Sequence, residues 1–307
     1  MPMTPYLTRR TLLASAAAAP VASLAAPLSA GAPMMGPGGG RFNRVTLGGF
    51  EVTTLLAATA ARPDPHSIFG LDVSAEDFAA LSAEANIPTD AAQFFFTPTV
   101  VNTGDALILF DTGLDADGIT GALGAAGYSP DQVDHVVVTH MHGDHIGGLM
   151  AGDTPTFPNA AYTTASAEYD YWAAAGNDRF DARMRPLADR TTMIGDGATI
   201  APGITAMAAH GHTPGHTVYM LESEGERMLL AADFANHYVW SLARPDWEVK
   251  FDMDKPAAAA TRRRLLSMLA AERIPFVGYH MPWPGTGYVE TTPDGFRYVP
   301  TSYQLML

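Results

Sequence analysis

Residues 139–148 read Thr-His-Met-His-Gly-Asp-His-Ile-Gly-Gly, so His140, His142, Asp144 and His145 fall within six consecutive positions. Imidazole nitrogens and a carboxylate at this density point to metal ligation. In an extended stretch His140 and His142 leave the backbone on the same side and can share one ion. Asp144 and His145 lie one short turn further on, where a helix is expected over residues 146–150, and point to a second position. A single tetrahedral zinc does not use all four groups plus partners from elsewhere, so the pattern suits two metals. Three distant residues are candidates to complete the set: His216 in GHTPGHT, Asp233 in LLAADF and His280 in VGYHMPWPG, each at a predicted strand end. The chain has no cysteine, which leaves nitrogen and oxygen as the only ligand atoms. Such a set suits two divalent ions, Zn2+ best, and also admits iron, manganese or cobalt.

Two ions side by side define a reaction class. Each lowers the pKa of a bound water toward neutrality, and a hydroxide bridging them is a nucleophile that needs no serine or cysteine. The absence of a GxSxG elbow agrees. One ion polarises a carbonyl or phosphoryl oxygen, while the catalytic carboxylate of Asp144 or Asp233 accepts or passes the leaving-group proton. The expected outcome is hydrolysis of an ester-like bond.

The elements that must position these residues are legible in outline. RVTLGGFEVTTLLAA predicts two strands about Gly48-Gly49, and Ser74 followed by Asp77 predicts a capped helix to about Ala85. Two β-rich runs, residues 98–102 and 105–111, flank Thr103-Gly104 as a hairpin. A helix is expected over 119–127, and VDHVVVT over 133–139 reads as a buried strand. The histidine motif therefore follows the C-terminal end of a strand, where layered α/β folds build sites. Helices are expected over 166–175 and 178–188, and strands over 204–208, 217–221 and 228–231. A proline-opened helix over 256–273 carries Arg262, Arg263 and Arg264, read as a solvated face.

With 47% apolar residues in 307, the chain can bury a large core. The net charge of −14 and only two lysines argue against a nucleic-acid partner. Residues 1–30 are different in kind: Arg9-Arg10 before a leucine pair, then an alanine-rich run, which together resemble a twin-arginine export signal. Pro20 and Pro27 interrupt that run and argue against a stable membrane anchor. Its removal takes away two arginines and no acid, leaving a net charge of −16. Residues 31–40 form a Gly/Pro linker, residues 41–307 read as one hydrolase domain, and the expected location is the periplasm or outside the cell. The twin-arginine route carries folded proteins, which suits a metalloprotein without disulfides.

HMHGDH together with His216, Asp233 and His280 resembles the metallo-β-lactamase fold superfamily. The resemblance implies an α/β protein, a four-layer αβ/βα sandwich of two mixed β-sheets flanked by helices. It also implies that His140, His142 and His216 hold one metal, that Asp144, His145 and His280 hold the other, and that Asp233 bridges them. Asp111, in the FDTG segment, matches a position that orients ligands, and His212 is assigned at most such an orienting role. The β-lactam-degrading branch generally lacks the bridging aspartate, which disfavours that substrate. GHTPGHT, HMPWPGTG and FRYVPTSY are similar to methyl parathion hydrolase and the lactonases related to it. That resemblance implies a lactone (acyl-homoserine or aromatic) or aryl ester substrate, with a phosphotriester as the alternative, and it is compatible with a homodimer. A non-catalytic metal-binding protein of the same fold is the rival from another class. Trp172 and Phe180 match two members of the aromatic cluster of the phosphotriesterase, whereas the loop at 114–120 contains no aromatic. Asn236, followed by His237 and Tyr238, stands where lactonases often place a tyrosine. Phe94, Phe95 and Phe96 are expected to divide between pocket and core, with Phe96 assigned to the pocket.

Overall fold

The structure is a computed structural model in which residues 40–302 and 304 are described. The export-signal segment and nearly all of the linker lie outside those residues. Among the described residues no helix is long and apolar enough to cross a membrane.

The chain opens with the expected hairpin of β1 (Phe42–Leu47) and β2 (Phe50–Leu55). β3 (Ala58–Pro63) and β4 (Ala91–Phe96) form a separate antiparallel pair that the sequence reading did not anticipate, with α1 (Ala75–Glu84) between them. The Ser74 hydroxyl caps α1 by accepting from Asp77 N. β5 (Thr99–Asn102) and β6 (Leu107–Phe110) make the second expected hairpin. α2 (Ala116–Ala125) starts earlier than its apolar pattern suggests, because Asp115 caps it by accepting from Gly118 N. After β7 (His135–Val137) comes α3, a single turn at Gly143–Ile146. It stops short of Met150 because Gly147-Gly148 follows, and Met150 opens the small β8 (Met150–Ala151) and β9 (Thr154–Pro155) pair.

β10 (Ala161–Ala165), α4 (Ser166–Ala175), α5 (Asp178–Arg183) and β11 (Thr191–Ile194) complete the first half. α5 is shorter than expected because Pro186 lacks an amide donor, and the chain tightens into a 3-10 turn over Arg185–Arg190. In the second half, β12 (Thr199–Ala201), β13 (Ile204–Ala208), β14 (Thr217–Ser223) and β15 (Glu226–Ala232) precede the one-turn α6 (Trp240–Ala243). α7 (Lys255–Glu272), β16 (Phe276–Gly278), β17 (Thr286–Thr291) and β18 (Phe296–Pro300) follow.

Two seven-stranded sheets result, ordered β1-β2-β5-β6-β7-β10-β11 and β12 through β18 in sequence. Both are mixed: β6, β7, β10 and β11 run parallel in the first, and β15 and β16 in the second. Alternation along the central strands explains why they read as continuous apolar runs. Ile108, Phe110 and Val137 point between the sheets to meet Tyr219, Leu221 and Leu230, while Leu109, Val136 and Val138 point outward under α2. Leu229 and Phe276 pack against Leu265, Leu266 and Leu269 of α7. The layers are helix, sheet, sheet, helix, the expected αβ/βα sandwich with both faces of each central strand buried.

One buried carboxylate crosses from the first half to the second. Glu168, in the first turn of α4, accepts from Met141 N (2.9 Å) and Trp172 Nε1 (2.7 Å) with one oxygen. Its other oxygen accepts from Thr213 Oγ1 and Gly215 N, both at 2.7 Å. Replacing Glu168 by Ala should strand these donors and cost at least about 3 kcal/mol, measured as a lower denaturant midpoint with an unchanged slope.

Candidate dinuclear metal centre

All the motif residues sit at the edge where strand C-termini of both sheets meet. β7 ends at Val137 three residues before His140, β15 ends at Ala232 beside Asp233, and β16 ends at Gly278 two residues before His280. Two clusters of ligand atoms form there: His140, His142 and His212, and Asp144, His145, Asp233 and His280. In the first, His142 Nδ1 lies 2.9 Å from His212 Nε2 and 3.2 Å from His140 Nε2, and the two Nε2 atoms are 3.2 Å apart. Around a tetrahedral zinc with bonds near 2.05 Å, nitrogens stand about 3.3 Å apart. In the second, Asp233 Oδ1 is 3.4 Å from His145 Nε2, and Oδ2 is 3.2 Å from His280 Nε2. Asp233 Oδ2 is also 3.5 Å from His212 Nε2, so this one carboxylate reaches both clusters. Asp144 Oδ2 lies 3.3 Å from His280 Nε2 and 3.7 Å from His145 Nε2.

The outer nitrogens decide which lone pairs are free. His145 Nδ1 donates to Asp111 Oδ2 at 2.8 Å, His212 Nδ1 to Asp252 Oδ1 at 2.9 Å, and His280 Nδ1 to the Phe95 carbonyl at 2.8 Å. Thr139 Oγ1 donates to Asp111 Oδ2, which leaves its oxygen to accept from His140 Nδ1 at 3.1 Å. Each of these four rings therefore turns a bare Nε2 toward the clusters. Buried His145 Nε2 and Asp233 Oδ1 have no hydrogen-bond partner. Converging lone pairs, orphaned buried polar atoms and an all-nitrogen-and-oxygen donor set fit two divalent cations.

Charge divides the centre. Burial and the neighbouring imidazoles hold His140 well below its ordinary pKa, and burial takes His142 down to about 3, so both are neutral and ligand-competent at pH 7. Burial opposes charge on His280 as well, yet the Asp233 carboxylate and the hydrogen bonds to both aspartates outweigh it and raise His280 to about 10. Asp144 goes down to about 2, where His145 and His280 outweigh burial. The carboxylate-rich half is the half that calls for positive charge.

The family model of the metallo-beta-lactamase superfamily matches residues 97–276. The chain belongs to the metallo-β-lactamase superfamily. It is 27% identical over 167 residues to an N-acyl homoserine lactonase of Bacillus sp., which covers 54% of this chain and 63% of that relative. It is 29% identical over 133 residues to the N-acyl homoserine lactonase AttM of Agrobacterium fabrum, 38% of this chain and 47% of that one. The chain thus spans less than two thirds of the length of these curated relatives. Among solved structures, AidC, a dizinc quorum-quenching lactonase with a bound homoserine product, has a TM-score of 0.80 at 24% identity and covers 85% of this chain and 98% of its own. The hydrolase AbOPH of the beta-lactamase superfamily has a TM-score of 0.79 at 23% identity, over 87% and 99%. Both share this fold.

Within this metallo-β-lactamase fold the structure corrects one expected ligand. His216 is not in either cluster: its Nδ1 donates to the Ala209 carbonyl and its Nε2 accepts from Asp233 N, both at 3.1 Å. Both ring nitrogens are consumed, so His216 braces the Asp233 backbone, and it is His212 that joins His140 and His142 in the cluster. Asp111 anchors one of the cluster imidazoles, His145. It holds Thr139 and His145 from a left-handed backbone, φ 60°, that an Asp tolerates better than most residues. Asp252, which the sequence reading missed, fixes His212 and is itself bound by Arg262 Nη2 at 2.6 Å. Arg262 is fully buried and not on a solvated face; only Arg263 and Arg264 meet that expectation.

A cavity of about 260 Å³ opens on the centre, with His142, Asp144, Asp233 and His280 at its floor and Phe94, Phe96, Leu114 and Phe251 along its walls. Phe96 lines it as expected, edge-on to His280 with centroids 5.4 Å apart. Phe94 and Phe96 face this side of β4, while Phe95 is half-buried on a second cavity on the other side, so the expected division between pocket and core is not the one found. Trp172 borders His142 at 5.9 Å, with its Nε1 held by Glu168. Phe180 is not a pocket residue: it is fully buried against Tyr169 in the outer core. Asn236 is buried beside the pocket and donates to Asp233 Oδ2 at 3.0 Å. His237 and Tyr238 open on a neighbouring cavity with Phe95 and Trp240, so they do not line the metal-side pocket. Arg62, Arg179 and Phe251, which do line it, were not identified from the sequence, because each lies in a segment without a motif.

The two histidines make opposite predictions. His212→Ala should lower bound metal from two per chain to about one with a modest change in melting temperature. His216→Ala should leave the cluster nitrogens intact but lower the melting temperature by stranding the Ala209 carbonyl and Asp233 N. Metal analysis alongside thermal unfolding separates the outcomes.

Proposed function

We propose that this chain is a dinuclear metallohydrolase that opens N-acyl homoserine lactones. The observation that carries the reading is Asp233, one buried carboxylate within reach of nitrogens from both clusters, at the floor of a pocket walled by Phe94, Phe96, Leu114 and Phe251. The lactonases among its relatives support the substrate class. His140, His142 and His212 would hold one ion, Asp144, His145 and His280 the other, with Asp233 between them. Divalent ions bound there supply a water acidified toward neutrality and a Lewis acid for the ester carbonyl.

The protein's own groups do the rest. Asp111, Asp252, Thr139 and the Phe95 carbonyl fix the imidazole tautomers, so no ligand reorganises as charge develops. Asn236 holds Asp233 Oδ2 in orientation. Asp144 is the carboxylate open to the pocket, its side chain 22% exposed against 4% for Asp233. It is therefore the group placed to carry the proton to the departing ring oxygen. The apolar walls suit an acyl chain. The aromatic-poor loop around Leu114 and the burial of Phe180 leave the phosphotriester reading with fewer leaving-group contacts.

The test is kcat/KM on acyl-homoserine lactones of several chain lengths, an aromatic lactone, an aryl ester and methyl parathion. A lactone should rank first, and a phosphotriester above every lactone would replace this reading. Asp233→Ala should lose metal and turnover together; two metals retained with full activity would exclude the bridging role.

A further inference from the structure

Two cationic side chains, Arg62 and Arg179, line the pocket, and Arg179 is the one that lies across the metal motif. It sits in the first turn of α5, where Asn177 Oδ1 accepts from Arg179 N and Phe180 N, both at 3.0 Å. The next residue, Phe180, is fully buried, and this anchor fixes the roll of the short helix. Arg179 consequently faces the cavity beside Asp144, Asp233 and His280. Among the described residues its guanidinium forms neither an ion pair nor a hydrogen bond, unlike Arg185 two turns on, which is bound by Asp181.

A second observation shows that the motif itself makes room for this side chain. A Cβ at Gly143 would lie 1.7 Å from Arg179 Nη1 and 2.7 Å from both its Cδ and Cζ. Gly143 is the first residue of α3 and is not among the residues with positive φ, so the backbone there would accept any L residue. A Cβ at 143 would therefore push the exposed guanidinium off the position it takes across the motif. The fork of donors lies against the metal motif, at the mouth of a site whose walls, Arg62 apart, are otherwise apolar.

An N-acyl homoserine lactone carries two carbonyl groups, the ring ester that reacts and the acyl amide beyond it. With the ester at the Asp144 and Asp233 floor and the alkyl tail on Phe94, Phe96 and Phe251, the amide oxygen is the polar atom left between them. We propose that Arg179 donates to that amide oxygen and so selects amide-bearing lactones, and that Gly143 is glycine to let it. The inference rests on the lactone reading above.

The experiment compares N-hexanoyl homoserine lactone with an amide-free alkyl γ-lactone. Arg179→Ala should raise KM for the amide-bearing substrate roughly tenfold to a hundredfold, the worth of a charged hydrogen bond, with a much smaller change in kcat. The loss on the amide-free lactone should be at least about tenfold smaller. Gly143→Ala should reproduce the KM rise with two metals per chain retained, and the double variant should be no worse than Arg179→Ala alone. Equal losses on both lactones, or fully additive effects at 143 and 179, would overturn the proposal. Should Gly143→Ala fail to fold, the exposed Arg179→Ala and Arg179→Gln still decide it. Calorimetry with ring-opened N-hexanoyl homoserine on metal-loaded protein is independent of turnover: an unchanged Kd in Arg179→Ala overturns the role of Arg179. Absence of hydrolysis of either lactone overturns the functional reading instead.

Discussion

Everything at the metal centre depends on one buried carboxylate that is not a candidate ligand. Glu168 accepts from the backbone of Met141, between the first two histidines, and from Thr213 and Gly215 in the loop that carries His212 and His216. One loop belongs to the first half of the chain and the other to the second. The carboxylate holds them at a fixed separation, with its charge stabilised by four donors in a place from which water is excluded. Gly215 allows the approach, since a Cβ there would stand 2.1 Å from Glu168 N. Three nitrogens can then meet within 3.2 Å of one another although His212 lies far along the chain from His140.

Around this link the centre is built asymmetrically. The three-histidine cluster is kept neutral by burial and by its own crowding. The second cluster concentrates Asp144 and Asp233, with Asp111 behind it, and pulls His145 and His280 toward their charged forms. A pair of cations satisfies both halves at once, by accepting the neutral lone pairs of one and neutralising the carboxylates of the other. Asp252 and Arg262 extend the same logic outward. The carboxylate that fixes His212 is itself compensated by a buried guanidinium bound to the Phe234 and Pro245 carbonyls.

The central strands were legible because burial on both faces leaves long apolar runs, as in the stretch ending at Val138. Helix starts were legible where a side chain caps them, at Ser74 and around Pro256. Less visible were β3, which is short of β-branched and aromatic residues, and β4, whose apolar run hides an alternation of buried and more exposed positions. The run Phe94-Phe95-Phe96 shows this, with one ring on the far side of the strand and two on the metal side. Arg262 was misread because a basic triplet on a helix carries no sign of the single position that turns inward.

The sequence by itself determined the local chemistry: His140 and His142 on one side of an extended stretch, Asp144 and His145 one turn later, all after a buried strand. These relations are short-range, so backbone geometry alone settles them. Tertiary structure decided between His212 and His216, which are four residues apart, both buried and equivalent in type. The choice turns on the outer nitrogen of each ring: His212 meets Asp252 and keeps a lone pair free, whereas His216 spends both nitrogens on Ala209 and Asp233. Those partners come from other elements, and only the folded chain brings them within hydrogen-bonding distance.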